Sequence, residues 1–269
     1  MFNCNPESPA HWFYKEWVLQ PEKHRALRLR FLMEDNPGLS EKALEKAKAD
    51  FTGVFYDRYI LGLWVAAEGA IYQTFTTNKK DFLITEAPKD ILFSHIGVDF
   101  GGNGSAHSFV LTGFSKDLKQ VVTLDEWYYK GEITPVQLEK NFIDFVRKNG
   151  KYNPVTAYMD SAEQVLINGI KVASAKAGLP IVISNAVKGF IIDRIRFHSM
   201  LHARRAYKIM AHCTHLIEAF ETAVYNAKSI KDERLDDGST NVDSLDALEY
   251  STESLQKEII TILGMERRN

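Results

Sequence analysis

The chain has 269 residues, enough for one large domain or for one domain and a smaller lobe. Hydrophobic residues make up 45% and charged residues 25%, the balance of an ordinary soluble globular protein. Lysine and arginine number 33 against 35 acidic residues, so any affinity for nucleic acid has to come from a local basic patch and not from the global field.

The opening segment, MFNCNPESPAHW, has neither a basic nor an apolar region and does not read as a signal peptide. NPESPAHWFYKEWV is a turn-rich entry to a short aromatic element. SEKALEKAKADF predicts a helix started by Ser40, and FYDRYILGLWV a second one weakened at Gly62. The apolar stretch YILGLWVAAEGAIY is interrupted by Glu68 and is too short to span a bilayer, so no membrane association is expected. ITEAPKD, with Pro88, reads as a connector. Residues 1–90 are thus expected to be mainly helical and unable to bury a core alone, with the main domain at 91–269. Cys4 and Cys213 are too few for a disulfide framework or a structural zinc site, which fits a reducing, intracellular location.

From about residue 94 the texture changes. SHIGVDF, HSFVLTGFS and VVTLDEWYY are three apolar runs with short connections, the first joined to the second by the glycine-rich GGNGSA; they predict an antiparallel meander. PVQLEKNFIDFVRKNG has helical spacing and ends at Gly150. Strand VTAYMD, helix EQVLINGIKVASAKAG and strand LPIVISNA come next. Helices DRIRFHSMLHARRAY and THLIEAFETAVYNA follow, then the charged stretch SIKDERLDDGSTN and a last helix, DSLDALEYSTESL. A three-strand meander followed by alternating helix and strand is the order of an α/β, ribonuclease H-like mixed sheet flanked by helices.

Three acids stand where these segments are expected to meet. Asp99 and Asp160 each close an apolar strand, and Asp246 lies on the first turn of the last helix. Carboxylates are the ligands preferred by magnesium and manganese. Two such ions roughly 3.5–4 Å apart serve in-line phosphodiester hydrolysis. Asp99, on the first strand, is expected to bridge both, with Asp160 on one and Asp246 on the other. Asp243, three residues before Asp246, is a fourth ligand, the orienter of a metal-bound water, or simply a helix N-cap. Glu163 is a weaker candidate. Lys188, Arg194 and Arg196 lead a basic cluster with Arg204, Arg205 and Lys208, read either as a DNA-backbone contact or as a solvated helix face. His212 and His215 have no second ligand pair and read as a helix-end cluster.

These blocks resemble the large subunit of tailed-bacteriophage terminases. GVDFG is similar to that family's first nuclease motif, MDSAE to the second, and DSLDALEY to the third, usually D-A-L-R-Y. NCNPESPAHWFYKEWV resembles the segment closing the family's ATPase domain. GVFYDRYILGLWVAAEGAIYQTF resembles the next block, with Arg58, Gly62, Trp64, Glu68 and Gly69 in matching places. The resemblance covers nearly the whole chain. It implies a metal-dependent endonuclease that cuts concatemeric viral DNA with Asp99, Asp160 and Asp246. The implied partners are double-stranded DNA, a terminase small subunit, a portal protein and an ATPase half, in the cytoplasm of a bacterial host.

Two residues depart from the family pattern: Asp243 stands where many members have His, and Glu249 where D-A-L-R-Y has Arg. No G-x-x-x-x-G-K-[ST] string is present, so VVTLDE reads as a sheet strand and not as half of a nucleotide site, and the chain resembles the C-terminal part of a terminase. Two other readings compete. One is a docking module that kept the fold and lost cleavage; the other is an actin-like kinase whose Gly101, Gly102 and Gly104 would cradle phosphate.

Overall fold

The computed structural model describes residues 1–9, 11–65, 67–102, 104–226, 233–237 and 241–265. Seven strands make one mixed sheet: β1 (Leu83–Ile84), β2 (Ile91–Asp99), β3 (His107–Ser115), β4 (Val121–Tyr129), β5 (Pro154–Met159), β6 (Val182–Asn185) and β7 (Tyr207–Met210). Their spatial order is β1-β7-β4-β3-β2-β5-β6. Strands β2, β3 and β4 form the expected antiparallel meander, while β5 and β7 join it in parallel and carry β6 and β1 outward.

The helices are α1 (Glu41–Asp50), α2 (Val54–Tyr59), α3 (Gln73–Thr77), α4 (Pro135–Lys148), α5 (Gln164–Lys176), α6 (Ile191–Ala203), α7 (Thr214–Thr222), α8 (Asp243–Glu253) and α9 (Gln256–Met265). Local chemistry explains where several begin. The Ser40 hydroxyl accepts the Ala43 N–H at the start of α1. Thr134 and Gln137 form a reciprocal capping box at the start of α4, with Pro135 at its first position.

The sheet separates two apolar cores. Ile96, Val98, Phe109, Leu111 and Met159 pack under α4 and α5 through Phe142 and Ile167. On the other face Val110, Phe114 and Val121 meet Ile195 of α6, Phe220 of α7, Leu245 and Leu248 of α8 and Ile259 of α9. Phe55, Tyr72, Phe75 and Phe82 are buried in this second core, so the segment from about residue 55 is built onto the sheet. Leu83 and Ile84, ahead of residue 91, are already paired in it.

Four features differ from the sequence expectation. The helix DRIRFHSMLHARRAY was expected to run to Tyr207, with no strand after it; Tyr207 instead opens the strand YKIM at 207–210, which is too short for periodicity to declare and takes its identity from pairing with β4 and β1. The second helix stops at Tyr59, because Gly62 turns the chain through a positive φ of 62°. The helix beginning at Thr214 ends at Thr222, after which Val224 and Tyr225 bridge to Ala70 and Arg234. Helix α9 follows α8 where a single last helix was expected. In the charged stretch at 229–242, expected as a loop or hairpin, residues 229–232 and 238–240 lie outside the described residues. No helix among the described residues is long and apolar enough to cross a membrane.

Candidate active site

Alternation along β2 decides where its terminal acid faces. Ile96 and Val98 are taken by the core under α4 and α5, so Gly97 and Asp99 lie on the α8 face. Helix α8 comes so close that a Cβ on Gly97 would sit 1.6 Å from the Ala247 carbonyl oxygen. Only glycine admits that approach, and it brings Asp246, the neighbour of Ala247, to the end of β2. The parallel register pairs Val98 with Met159, so the next residues, Asp99 and Asp160, fall side by side. The Asp160 N–H donates to the Val98 carbonyl at 3.0 Å. Asp243 and Asp246 occupy the first turn of α8, where the helix dipole favours negative charge. Four carboxylates from three remote segments therefore gather at one end of the sheet.

Their electrostatics differ sharply. Asp99 is 8% exposed. Burial first, and then the carboxylates of Asp246, Asp243 and Asp160, push it well above the ordinary range, with Lys188 pulling the other way. Asp243 is also raised, by burial first and by Asp246, against a hydrogen bond it accepts from the Ala106 N–H at 2.9 Å. That bond ties α8 to the glycine-rich turn after β2. The capping role open to Asp243 belongs instead to Asn241, whose Oδ1 accepts the Ser244 N–H at 3.2 Å.

The outer acids are each held by cations. Asp160 Oδ1 accepts Lys188 Nζ at 2.7 Å and the Ala162 N–H at 2.9 Å. Asp246 Oδ1 receives Arg194 Nη1 at 3.2 Å and Arg234 Nη2 at 2.5 Å. Among the described residues no group of three or more His, Cys, Asp and Glu side chains is drawn tightly enough together to hold one ion. The donor set nevertheless suits a hard cation: it is all oxygen, and its central member is destabilised as an anion by the other three.

The basic residues separate. Lys188 is exposed beside Asp160, and Arg196, its side chain 40% exposed, pairs with Asp193. Arg194 is 6% exposed and turned to Asp246, Glu249 and Glu253, so of the three it has the least surface to offer a phosphate backbone. Arg204 and Arg205 engage Asp50 and Asp81, away from the four acids. Glu163 is exposed at the start of α5. His212 pairs with Asp125, and His215 stacks on Tyr128 at the mouth of α7.

Sequence reading missed Arg234. It lies in a charged stretch without periodicity, yet it is 6% exposed and bonded to both Asp246 and Glu249. The one available signal was Glu249 itself: an acid where the motif usually has a base calls for a base from elsewhere.

The meander, the parallel strands beside it and the helices on both faces make this a ribonuclease H-like fold. No protein-family model matches the sequence, and no curated protein matches it. Solved structures do. The large terminase of a thermophilic bacteriophage is 25% identical with a TM-score of 0.78, covering 97% of this chain and 62% of that one. The same protein in complex with ADP gives a TM-score of 0.80 over 94% of this chain. The nuclease domain of the P22 large terminase, 18% identical with a TM-score of 0.50, covers 71% of this chain and 97% of its own, and bears on fold alone. The likeness to large terminases read from the motifs is thus borne out in three dimensions. The chain spans about three fifths of the length of the thermophilic-phage terminase.

Proposed function

We propose that this chain is the nuclease part of a large terminase: a divalent-metal-dependent endodeoxyribonuclease that cuts concatemeric viral DNA during packaging, with little sequence preference. The observation that carries the reading is the meeting of Asp99, Asp160, Asp243 and Asp246, with three carboxylates acting against the ionisation of Asp99. A site built that way gains by taking up a cation. Asp99, Asp160 and Asp246 are assigned as ligands of two magnesium or manganese ions, with Asp243 a fourth ligand or the orienter of a bound water. Metal bound there would supply Lewis acidity and an activated water for phosphodiester hydrolysis.

The chain's own residues have separate tasks. Asp99 sits centrally, and Lys188 offers a cation beside Asp160. Arg196 has the exposure to meet a DNA phosphate, whereas Arg194 serves from within. Nothing among the described residues resembles a base-reading helix or finger, which supports weak sequence preference. The likeness to the thermophilic-phage terminase supports double-stranded DNA as substrate. It also supports an ATPase half, a small subunit and a portal protein as partners in the bacterial cytoplasm.

The kinase reading loses support at the glycine-rich turn. Its Gly102 N–H is spent on Ser105 and its Ala106 N–H on the Asp243 carboxylate, which places negative charge where phosphate would sit. The deciding experiment is cleavage of supercoiled plasmid with magnesium, manganese or EDTA, by wild type beside Asp99→Ala. Cutting that needs metal and vanishes in the variant is expected. Intact plasmid from folded protein under every condition would favour a docking module.

A further inference from the structure

Helix α8 carries Asp246, Glu249 and Glu253 along one stripe, at helical spacings of three and four. Two arginines from other elements lie against it. Arg234 places Nη1 at 2.5 Å from Glu249 Oε1 and Nη2 at 2.5 Å from Asp246 Oδ1. Arg194 Nη1 lies 3.0 Å from Glu249 Oε2 and 3.2 Å from Asp246 Oδ1. Both guanidinium groups therefore converge on the same oxygen of Asp246, and both are anchored by the same glutamate. Glu249 is 1% exposed.

We propose that Glu249, acting through Arg194 and Arg234, is a positioning residue for the divalent-metal site: it holds both guanidinium groups on Oδ1 of Asp246 and so fixes that carboxylate for the ion. The inference rests on the nuclease reading above and adds a residue outside the four acids.

Three arguments support it. Two positive and two negative charges balance in the quartet, whereas without Glu249 the two neighbouring cations would compete for Asp246, with Glu253 only a more distant partner of Arg194. A buried charged quartet is also a poor device for stability, since apolar residues of similar volume usually do as well or better; fixed geometry is what it offers instead. Finally, the frame continues to the other outer acid. Arg194 Nε lies 3.7 Å from Glu253, whose carboxylate accepts the N–H groups of Lys188 and Gly189 at 3.0 and 2.8 Å. Those bonds hold Lys188 at a positive φ of 55°, with its Nζ on Asp160. Asp160 and Asp246 are thus referenced to one ion-pair frame.

The test is the affinity of the full chain for manganese alone, read from the electron paramagnetic resonance of free Mn²⁺. Wild type would be compared with Glu249→Gln, Arg234→Lys, Asp246→Asn and the double variant Glu249→Gln/Asp246→Asn. Circular dichroism and thermal melting establish that each is folded, and Arg234→Lys keeps the charge while losing the two-pronged fork. Glu249→Gln and Arg234→Lys are each expected to weaken binding about 10-fold or more, as lost supporting contacts to metal ligands do. Glu249→Gln should cost nothing further once Asp246 is already Asn. Wild-type affinity in both folded single variants, or an undiminished loss in the Asp246→Asn background, would overturn the positioning role and leave the nuclease reading standing. Failure of wild type itself to take up Mn²⁺ would remove both.

Discussion

Asp99 and Asp125 are similarly hidden in the same sheet, 8% and 3% exposed, yet their surroundings are opposite in kind. Asp125, on β4, accepts Asn149 Nδ2 at 2.8 Å, lies 2.7 Å from Lys148 Nζ and lies 3.2 Å from His212 Nε2. Burial pushes its carboxyl up, but Lys148 and Asn149 outweigh burial and hold it below its ordinary value. Its neighbour Glu126 accepts the N–H groups of His215 and Leu216 and so closes the start of α7. Asp99 instead faces three other carboxylates. Burial alone therefore does not mark a functional acid in this molecule. The sign of the neighbours is what separates these two: donors surround Asp125, whereas like charges surround Asp99, the acid proposed at the centre of the site.

The comparison can be broken most severely at Asp99. Asp99→Asn should abolish plasmid cleavage yet make the metal-free protein more stable, by about 1 kcal/mol or roughly 3 °C in melting temperature for a chain of this size. The sign follows from the raised carboxyl: its contribution is favourable while protonated and is lost as pH rises through the folded value, so at neutral pH the amide removes a cost. A fall in melting temperature would show that Asp99 is structural after all.

Next comes Gly97→Ala, whose new methyl meets helix backbone and not a yielding side chain. Overpacking of this kind costs ~1–3 kcal/mol, here at the upper end. Because α8 must shift, cleavage should fall more than stability. Retained cutting at a lowered melting temperature would mean that the four acids tolerate displacement.

Asp125→Ala should do the converse. It leaves the buried Asn149 amide without that acceptor, at about 2 kcal/mol in urea unfolding. Cleavage per folded molecule should be unchanged, and a lost rate would erase the distinction between the two acids.

The smallest effect is a change of slope. Burial raises the Glu126 carboxyl to about 7, against the two N–H groups it accepts. Its stabilising contribution is full below an unfolded value near 4.5 and is lost as pH rises to about 7. Buried His198, lowered to about 3 by burial and nearby arginines, acts oppositely and costs stability as pH falls below 6.5. Urea melts of Glu126→Gln and wild type from pH 5 to pH 8 isolate the first term. The difference between them should change from pH 5 to about 7 and then level off, and a constant difference would refute the assignment.

Much of this was legible in the sequence because the signals are local. The meander strands announce themselves by apolar runs, α1 by its Ser40 cap, α4 by its helical spacing, and Asp99 and Asp160 by closing strands. What escaped depends on partners distant in the chain. Strand β7 exists by pairing with β4 and β1, and Gly97 owes its meaning to Ala247, 150 residues further on. Arg234, in a run of charges, gains its role only beside Glu249. Arg194 was legible as a basic residue near the site, but its direction inward was not, since direction is set by the packing of α6 on α8.

The docking of α8 against Gly97 also orders events during synthesis. A nascent chain that has delivered Asp99 and Asp160 still lacks two of its four acids, because Asp243 and Asp246 are translated more than eighty residues later. Gly97 is then a receptor waiting for a helix that the ribosome has not yet made. Whatever chemistry these carboxylates perform is withheld until the segment carrying α8 has been made and has docked.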